Sequence, residues 1–236
     1  MAGPDKTMED PAPRVTAPAS RRRGPASTEE GQRSRDRVLQ AAFDLIIEVG
    51  IDRVRLAEVA RRARMSSGQV MYYFTSKEHI LLETLAWQEH QDLLRRRATL
   101  AGVTGAWRKL EQFIGLYLPA DPADPSWILW LEAWARAPHN RDVSKFLDEL
   151  INLWRDDLTE IVVRGIEAGE FTAPANLDDF TYRYIAVLDG LALQGLRQMH
   201  QVTRERLVEF AVQAARLELA AAAASVKPVP RKNRPA

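Results

Sequence analysis

Apolar positions recur at helical spacing along most of the chain. Val38, Leu39, Ala42, Phe43, Leu45, Ile46 and Val49 form one stripe that stops at Gly50. That is the pattern of an amphipathic helix closed by glycine. Ser27 with Glu30 three residues later has the spacing of a capping box and places the start of this helix. A short helix is predicted over Leu56–Ala63, with Leu56, Val59, Ala60 and Ala63 on one face. Met65 and Ser66 break the pattern, and a second short helix runs from about Ser67 to Phe74, with Val70, Tyr73 and Phe74 turned inward. Thr75, Ser76 and Glu78 signal another cap, opening a long helix from Lys77 to about Arg97 that Gly102 and Gly105 interrupt. Further helical segments are predicted at 105–118, 125–137, 141–168, 177–200 and 203–224, separated by proline- or glycine-containing breaks. Alternating strand patterns do not occur. The predicted fold class is all-α, with about nine helices and no internal repeat.

Composition narrows the chemistry. The chain has 236 residues and no cysteine. Disulfides, thiolate metal sites and cysteine nucleophiles are therefore excluded. No apolar run reaches the roughly 18 residues of a membrane-spanning helix, so no membrane partner is expected. The N-terminal stretch has no apolar core of a secretory signal. The expected location is the cytoplasm. Net charge is +1, but it is unevenly placed. Residues 1–27 carry +2, residues 98–224 carry −6 and residues 225–236 carry +4. Basic ends of this kind often touch polyanions or simply solvate the chain. The predicted organisation is a disordered Pro-rich basic arm over 1–26, a helix-turn-helix domain over 27–78, a helical ligand-binding and dimerisation domain over 79–224, and a disordered basic tail over 225–236.

The stretch 55–78 carries the functional signal. Two short helices separated by a tight turn make a helix-turn-helix, whose second helix enters the DNA major groove. Here that helix opens on Ser67, Gly68 and Gln69, with Ser66 just before it, and the small residues at that end permit close approach. Gln69 can read an adenine by a two-point hydrogen bond. Tyr72 lies on the same outward side, and its hydroxyl suits a phosphate. Lys77 sits at the start of the next helix, where its ammonium joins unpaired backbone N–H groups to face an anion. Arg55 stands just before the bracing helix in an equivalent position. Tyr73 completes the candidate DNA-contacting set.

The segment LAEVARRARMSSGQVMYYFTSKEHIL, with the preceding VLQAAFDLIIEVGIDRVR, closely resembles the DNA-binding domain of TetR-family repressors. The family pattern is matched at Ala60, Ala63, Ser66, Gly68, Val70, Tyr73, Phe74, Lys77 and Leu81. Three departures from it matter. Arg64 stands where the family usually has glycine in the turn. Val54 and Arg55 stand where it has threonine or serine. Met71 stands where it has an aromatic residue that touches phosphate. The first two departures add positive charge near the DNA backbone, and the third removes a phosphate hydrogen bond. Further along, WLEAWARAPHNRDV, LWRDDLTEIVVRGIEAGEF and VLDGLALQGL resemble the ligand-binding and dimerisation domain of BetI-type TetR regulators. The resemblance implies a double-stranded, pseudo-palindromic DNA operator, a small-molecule effector that releases the protein from it, and a homodimer formed through helices at about 177–200 and 203–224.

Aromatic residues are dense between 107 and 190. At helical spacing most aromatics are core, but large rings between helices also suit an apolar or cationic ligand. The pairs Phe113/Tyr117 and Trp130/Trp134, with Leu131 beside the latter, are the candidate pocket walls, and Trp154, Tyr184 and Asp189 are further candidates. Asp189 lies in an apolar run. It either meets a cationic ligand or pairs with Arg183, Arg197 or a backbone group. Glu132 is expected at the solvent surface. The four histidines show no metal-binding spacing, and no cofactor is implied. No catalytic grouping is recognisable, so an enzyme is not expected. The remaining alternatives are a helical small-molecule or partner-binding protein that has lost DNA, and a TetR-type activator.

Overall fold

The computed structural model describes residues 29–197 and 202–220. The cap at Ser27, the last residues predicted for the two C-terminal helices, and both basic ends lie outside them. Among the described residues the order is α1 (Glu29–Val49), α2 (Leu56–Ala63), α3 (Ser67–Tyr73), α4 (Lys77–Ala101), α5 (Ala106–Tyr117), α6 (Pro125–Trp134), α7 (Arg141–Glu167), α8 (Leu177–Leu196) and α9 (Arg204–Leu219). Two short 3-10 turns, Ile51–Arg53 and Ala137–His139, join them and are too brief to leave a periodic signal.

The helices begin where side chains can accept their first N–H groups. Ser76 Oγ accepts from His79 N at the start of α4, and Asp124 from Ser126 N and Trp127 N at α6. Asn176 and Thr203 do the same for α8 and α9. Each such cap contributes about 1 kcal/mol. Gly50 ends α1 with φ 76°, a conformation open to glycine at little cost.

The described residues divide into two compact units. The first comprises residues up to 102 together with 121–154. Within it α1 packs on α2, α4 and α6, and α2 packs on α3. Its core gathers Leu39 and Ile46 of α1, Val59 of α2, Val70 and Phe74 around α3, Leu81 and Leu85 of α4, Leu129 of α6 and Phe146 of α7. Fully burying each of the larger apolar side chains stabilises by about 1.5–3 kcal/mol. The helix-turn-helix therefore shares its core with α4, α6 and the first half of α7, and the compact division falls well beyond the expected domain boundary at 78.

The second unit comprises 103–120 and the described residues from 155 onward. Here α9 packs on both α5 and α8. Tyr184 of α8 donates to the Ala211 carbonyl of α9 at 2.8 Å, and its ring stacks on Phe180. Phe171 lies over Gly165 so closely that a Cβ there would collide with its ring, and it packs edge-on against Trp107.

Candidate nucleic-acid interface

Helix α3 is held by one face. Val70 and the C-cap residue Phe74 are fully buried, and Tyr73 is half-buried against the core. Ser66, Ser67, Gly68, Gln69, Met71 and Tyr72 are exposed. At 100° per residue, Met71 and Gln69 stand about 160° apart around the axis, flanking Gly68 and Tyr72 at the centre of the outer face. The predicted contact residues Ser67, Gly68, Gln69 and Tyr72 thus share one accessible surface. Tyr73 is placed differently: its ring meets Tyr72 edge-on at 5.8 Å and is turned toward the core, so it mainly sets the position of α3.

Ser66 and Gln69 form a capping box. Ser66 Oγ accepts from Gln69 N at 3.2 Å, and Gln69 Oε1 accepts from Ser66 N at 2.9 Å. A seven-residue helix has little stability of its own, and this box satisfies two of its otherwise unpaired donors. The pre-helix turn is tight: Arg64 caps α2 in the left-handed conformation, φ 57° and ψ 45°, with its N–H pointing back to the Ala60 and Arg61 carbonyls.

The flanking cations are unequal. Arg62 is tied to Glu48 of α1 through two hydrogen bonds of 2.7 and 2.8 Å, and Arg61 pairs with Glu58 on its own helix. In both pairs the carboxyl is held below its usual range, chiefly by the arginine's hydrogen bond. Arg53, Arg55 and Arg64 are exposed. Arg55 occupies the N-cap position of α2, where a guanidinium cannot accept from the helix N–H groups. Lys77 is exposed at the start of α4, and its ammonium donates to the Asp52 carbonyl at 2.6 Å. That bond leaves two of its three donors for an anion. Asp52 also accepts from Arg136 at 2.5 Å, and Arg136 reaches Glu132 at 3.1 Å. Glu132 is therefore a half-buried ion-pair partner, not the solvent-facing acid expected from its position.

The predicted effector residues fall into both units. Trp130 and Trp134 pack edge-on at 6.2 Å on α6, with Trp127 against Trp134 at 5.9 Å and Leu131 half-buried beside them. Trp154 carries the Arg96 guanidinium 3.5 Å over its ring centre. Arg96 and Glu89, two turns apart on α4, are each 1% exposed and pair at 3.4 Å. Burial pushes the Glu89 carboxyl up to about 7 against the pull of Arg96. His90 Nδ1 beside them is buried without a hydrogen-bond partner. In the second unit Phe113 and Tyr117 pack at 6.2 Å. The Tyr117 hydroxyl donates to Asp189 Oδ1 at 2.5 Å. Asp189 is thus satisfied by a tyrosine, while Arg183 pairs with Glu218 at 2.6 Å. Burial raises the Asp189 carboxyl, and the tyrosine bond opposes that. Tyr184 is fully engaged in the α8–α9 contact. A separate cleft of about 160 Å³, lined by residues including Lys109, Ile161, Arg164 and Glu170, contains none of the predicted effector residues.

Residues 38–84 match the family model described as bacterial regulatory proteins, tetR family, and residues 106–220 match the BetI-type transcriptional repressor C-terminal model. The HTH-type transcriptional regulator BetI of Escherichia coli is 26% identical over 171 residues, covering 68% of this chain and 80% of that one. The HTH-type transcriptional repressor KstR of Mycolicibacterium smegmatis is 34% identical over 110 residues, 46% of this chain and 52% of that one. A transcriptional regulator from Saccharomonospora viridis in complex with choline has the same fold, with a TM-score of 0.71 and 24% identity over 80% of this chain and 98% of that one.

The chain belongs to the TetR family.

It is a DNA-binding transcriptional repressor of the TetR type, a family in which ligand-responsive regulation is typical. Among the described residues of this TetR-family regulator, no helix is long and apolar enough to cross a membrane. Within the family frame, two features escaped the sequence pattern. The Ser66–Gln69 capping box is visible in the spacing of the two residues. The Glu89–Arg96 pair is hinted at by two charges seven apart on an apolar stripe that includes Leu85, Leu93 and Leu100.

Proposed function

We propose that two copies of this chain bind a pseudo-palindromic operator in the cytoplasm, each laying α3 in the major groove, and that an apolar or cationic small molecule in the helical domain releases them. Gly68 carries the DNA part of this reading. It is exposed, helical, and a Cβ there would meet only Ser66 Oγ at 4.0 Å. Glycine costs up to about 1 kcal/mol relative to alanine in a helix interior, and less in the first turn, where Gly68 stands. Among the described residues nothing requires it at this position. A DNA surface pressed against the bare backbone does. Gln69 then faces base edges, Tyr72 and Lys77 face phosphates, and Arg55 faces the backbone beside α2.

The homodimer rests on apolar side chains left bare on the last two helices. Phe210 and Leu217 lie seven residues apart on one stripe of α9, Leu217 being 86% exposed, and Val187 is exposed on α8. Two-fold pairing through such a face predicts half-sites about one helical turn of DNA apart, roughly 34–36 Å. For the effector, the α6 tryptophans are the strongest candidates, since choline is the ligand in the Saccharomonospora relative and aromatic faces attract such cations. The Trp154 face is already taken by Arg96.

The test is a selection of genomic fragments by the purified protein at physiological salt, repeated with Gly68→Ala. The expected result is a recovered palindrome, with the variant more heat-stable yet weaker on that site by about tenfold or more, the effect of about 1.4 kcal/mol. Recovery of random fragments alone overturns the reading.

A further inference from the structure

Met71 is 61% exposed, the most exposed large apolar residue on α3, and belongs to no part of the core. It sits about 60° around the helix from Gly68, whose missing side chain clears the space beside it. On the other flank Gln69 is oriented by the capping box. If α3 lies in the major groove, Met71 is carried in with it. A thioether has no N–H or O–H to donate and no charge, so it gains nothing from a phosphate oxygen. The edges of unmodified base pairs in the major groove offer donors, acceptors and one apolar group, the C5 methyl of thymine. A flexible, polarisable side chain adapts well to such a contact.

We propose that Met71 is a specificity-determining residue that reads one thymine per half-site through its C5 methyl group. The inference rests on the α3 docking proposed above. It assigns Met71 a base contact in place of the phosphate contact that an aromatic residue would make at this position.

Replacing thymine by uracil removes that methyl and nothing else. On the operator recovered by selection, each thymine of a half-site is replaced in turn, and binding is followed by fluorescence anisotropy for the wild type, Met71→Ala, Met71→Leu and Met71→Gln. One position is expected where uracil weakens the wild type about fourfold, the worth of one buried methyl, and about fifteenfold when both half-sites carry it. Met71→Leu keeps that sensitivity. Met71→Ala and Met71→Gln lose it at that position alone, while their melting temperatures stay within about 2 °C of wild type because the side chain is mostly exposed and outside the core. Identical uracil profiles for all four proteins overturn the proposal and leave the DNA-reading function standing. Absence of specific binding by the wild type overturns both.

Discussion

Replacing Arg64 by glycine separates two contributions that this residue makes with opposite sign. Its backbone is left-handed, φ 57° and ψ 45°, at the C-cap of α2. For a residue with a Cβ that conformation costs roughly 1–2 kcal/mol. Glycine avoids the clash but loses about 0.5–1 kcal/mol more chain entropy on folding. The net expectation for Arg64→Gly is a gain of about 0.5–1 kcal/mol, read as a higher urea midpoint at unchanged slope. The same change removes an exposed guanidinium two residues before the cap of α3. If that group meets a phosphate, the slope of log affinity against log salt becomes shallower by about 0.9 per protomer. Arg64→Ala is the matched control, because it removes the charge and keeps the Cβ in the left-handed turn. The two variants should therefore share a salt slope and differ in stability. Equal stability of the two refutes the strain argument. An unchanged salt slope in both refutes the phosphate contact.

Two further outcomes follow from buried charge and bare apolar surface. Glu89 holds its proton up to about pH 7 in the folded state and releases it near the ordinary value of 4.5 when unfolded, so the folded chain binds more protons between these values and stability falls as pH rises across that window. Thermal melts at pH 5 and pH 8 should show this loss in the wild type and a flatter response in Glu89→Gln, whereas a wild type that gains stability over the window contradicts the burial argument. Leu217→Glu places a carboxylate on the α9 stripe and should shift sedimentation from dimer to monomer with little change in helix content, and an unaltered dimer places the interface elsewhere.

The helices were legible because both of their signals are local. Apolar spacing marks the body and Ser76 marks the start of α4, while Asp124, Asn176 and Thr203 are local cap signals of the same kind that the sequence reading did not use. Partners set by tertiary packing were not legible. Asp189 finds a tyrosine 72 residues earlier in the chain, a pairing that no spacing rule reaches. Glu132 was different: Arg136 stands four residues on, at ion-pairing distance on any helix, and the apolar tryptophans around it obscured that simpler reading. The effector residues were the least legible, since an aromatic at helical spacing packs in a core or lines a ligand with the same sequence signature. Trp154 shows why, because its face is satisfied by an internal cation from α4.

Gln69 joins the two levels most closely. Its cap and the proposed base contact look like competing uses of one side chain. The geometry removes the competition. Its Oε1 accepts from Ser66 N at 2.9 Å, and an amide oxygen has a second lone pair for an adenine amino group, while the amide NH2 remains for the ring nitrogen. The capping bond therefore fixes the amide before DNA arrives, so less side-chain freedom is lost on binding. The glutamine proposed above to read a base is the same one that starts its own helix, so the docking reading asks no second side chain to orient it.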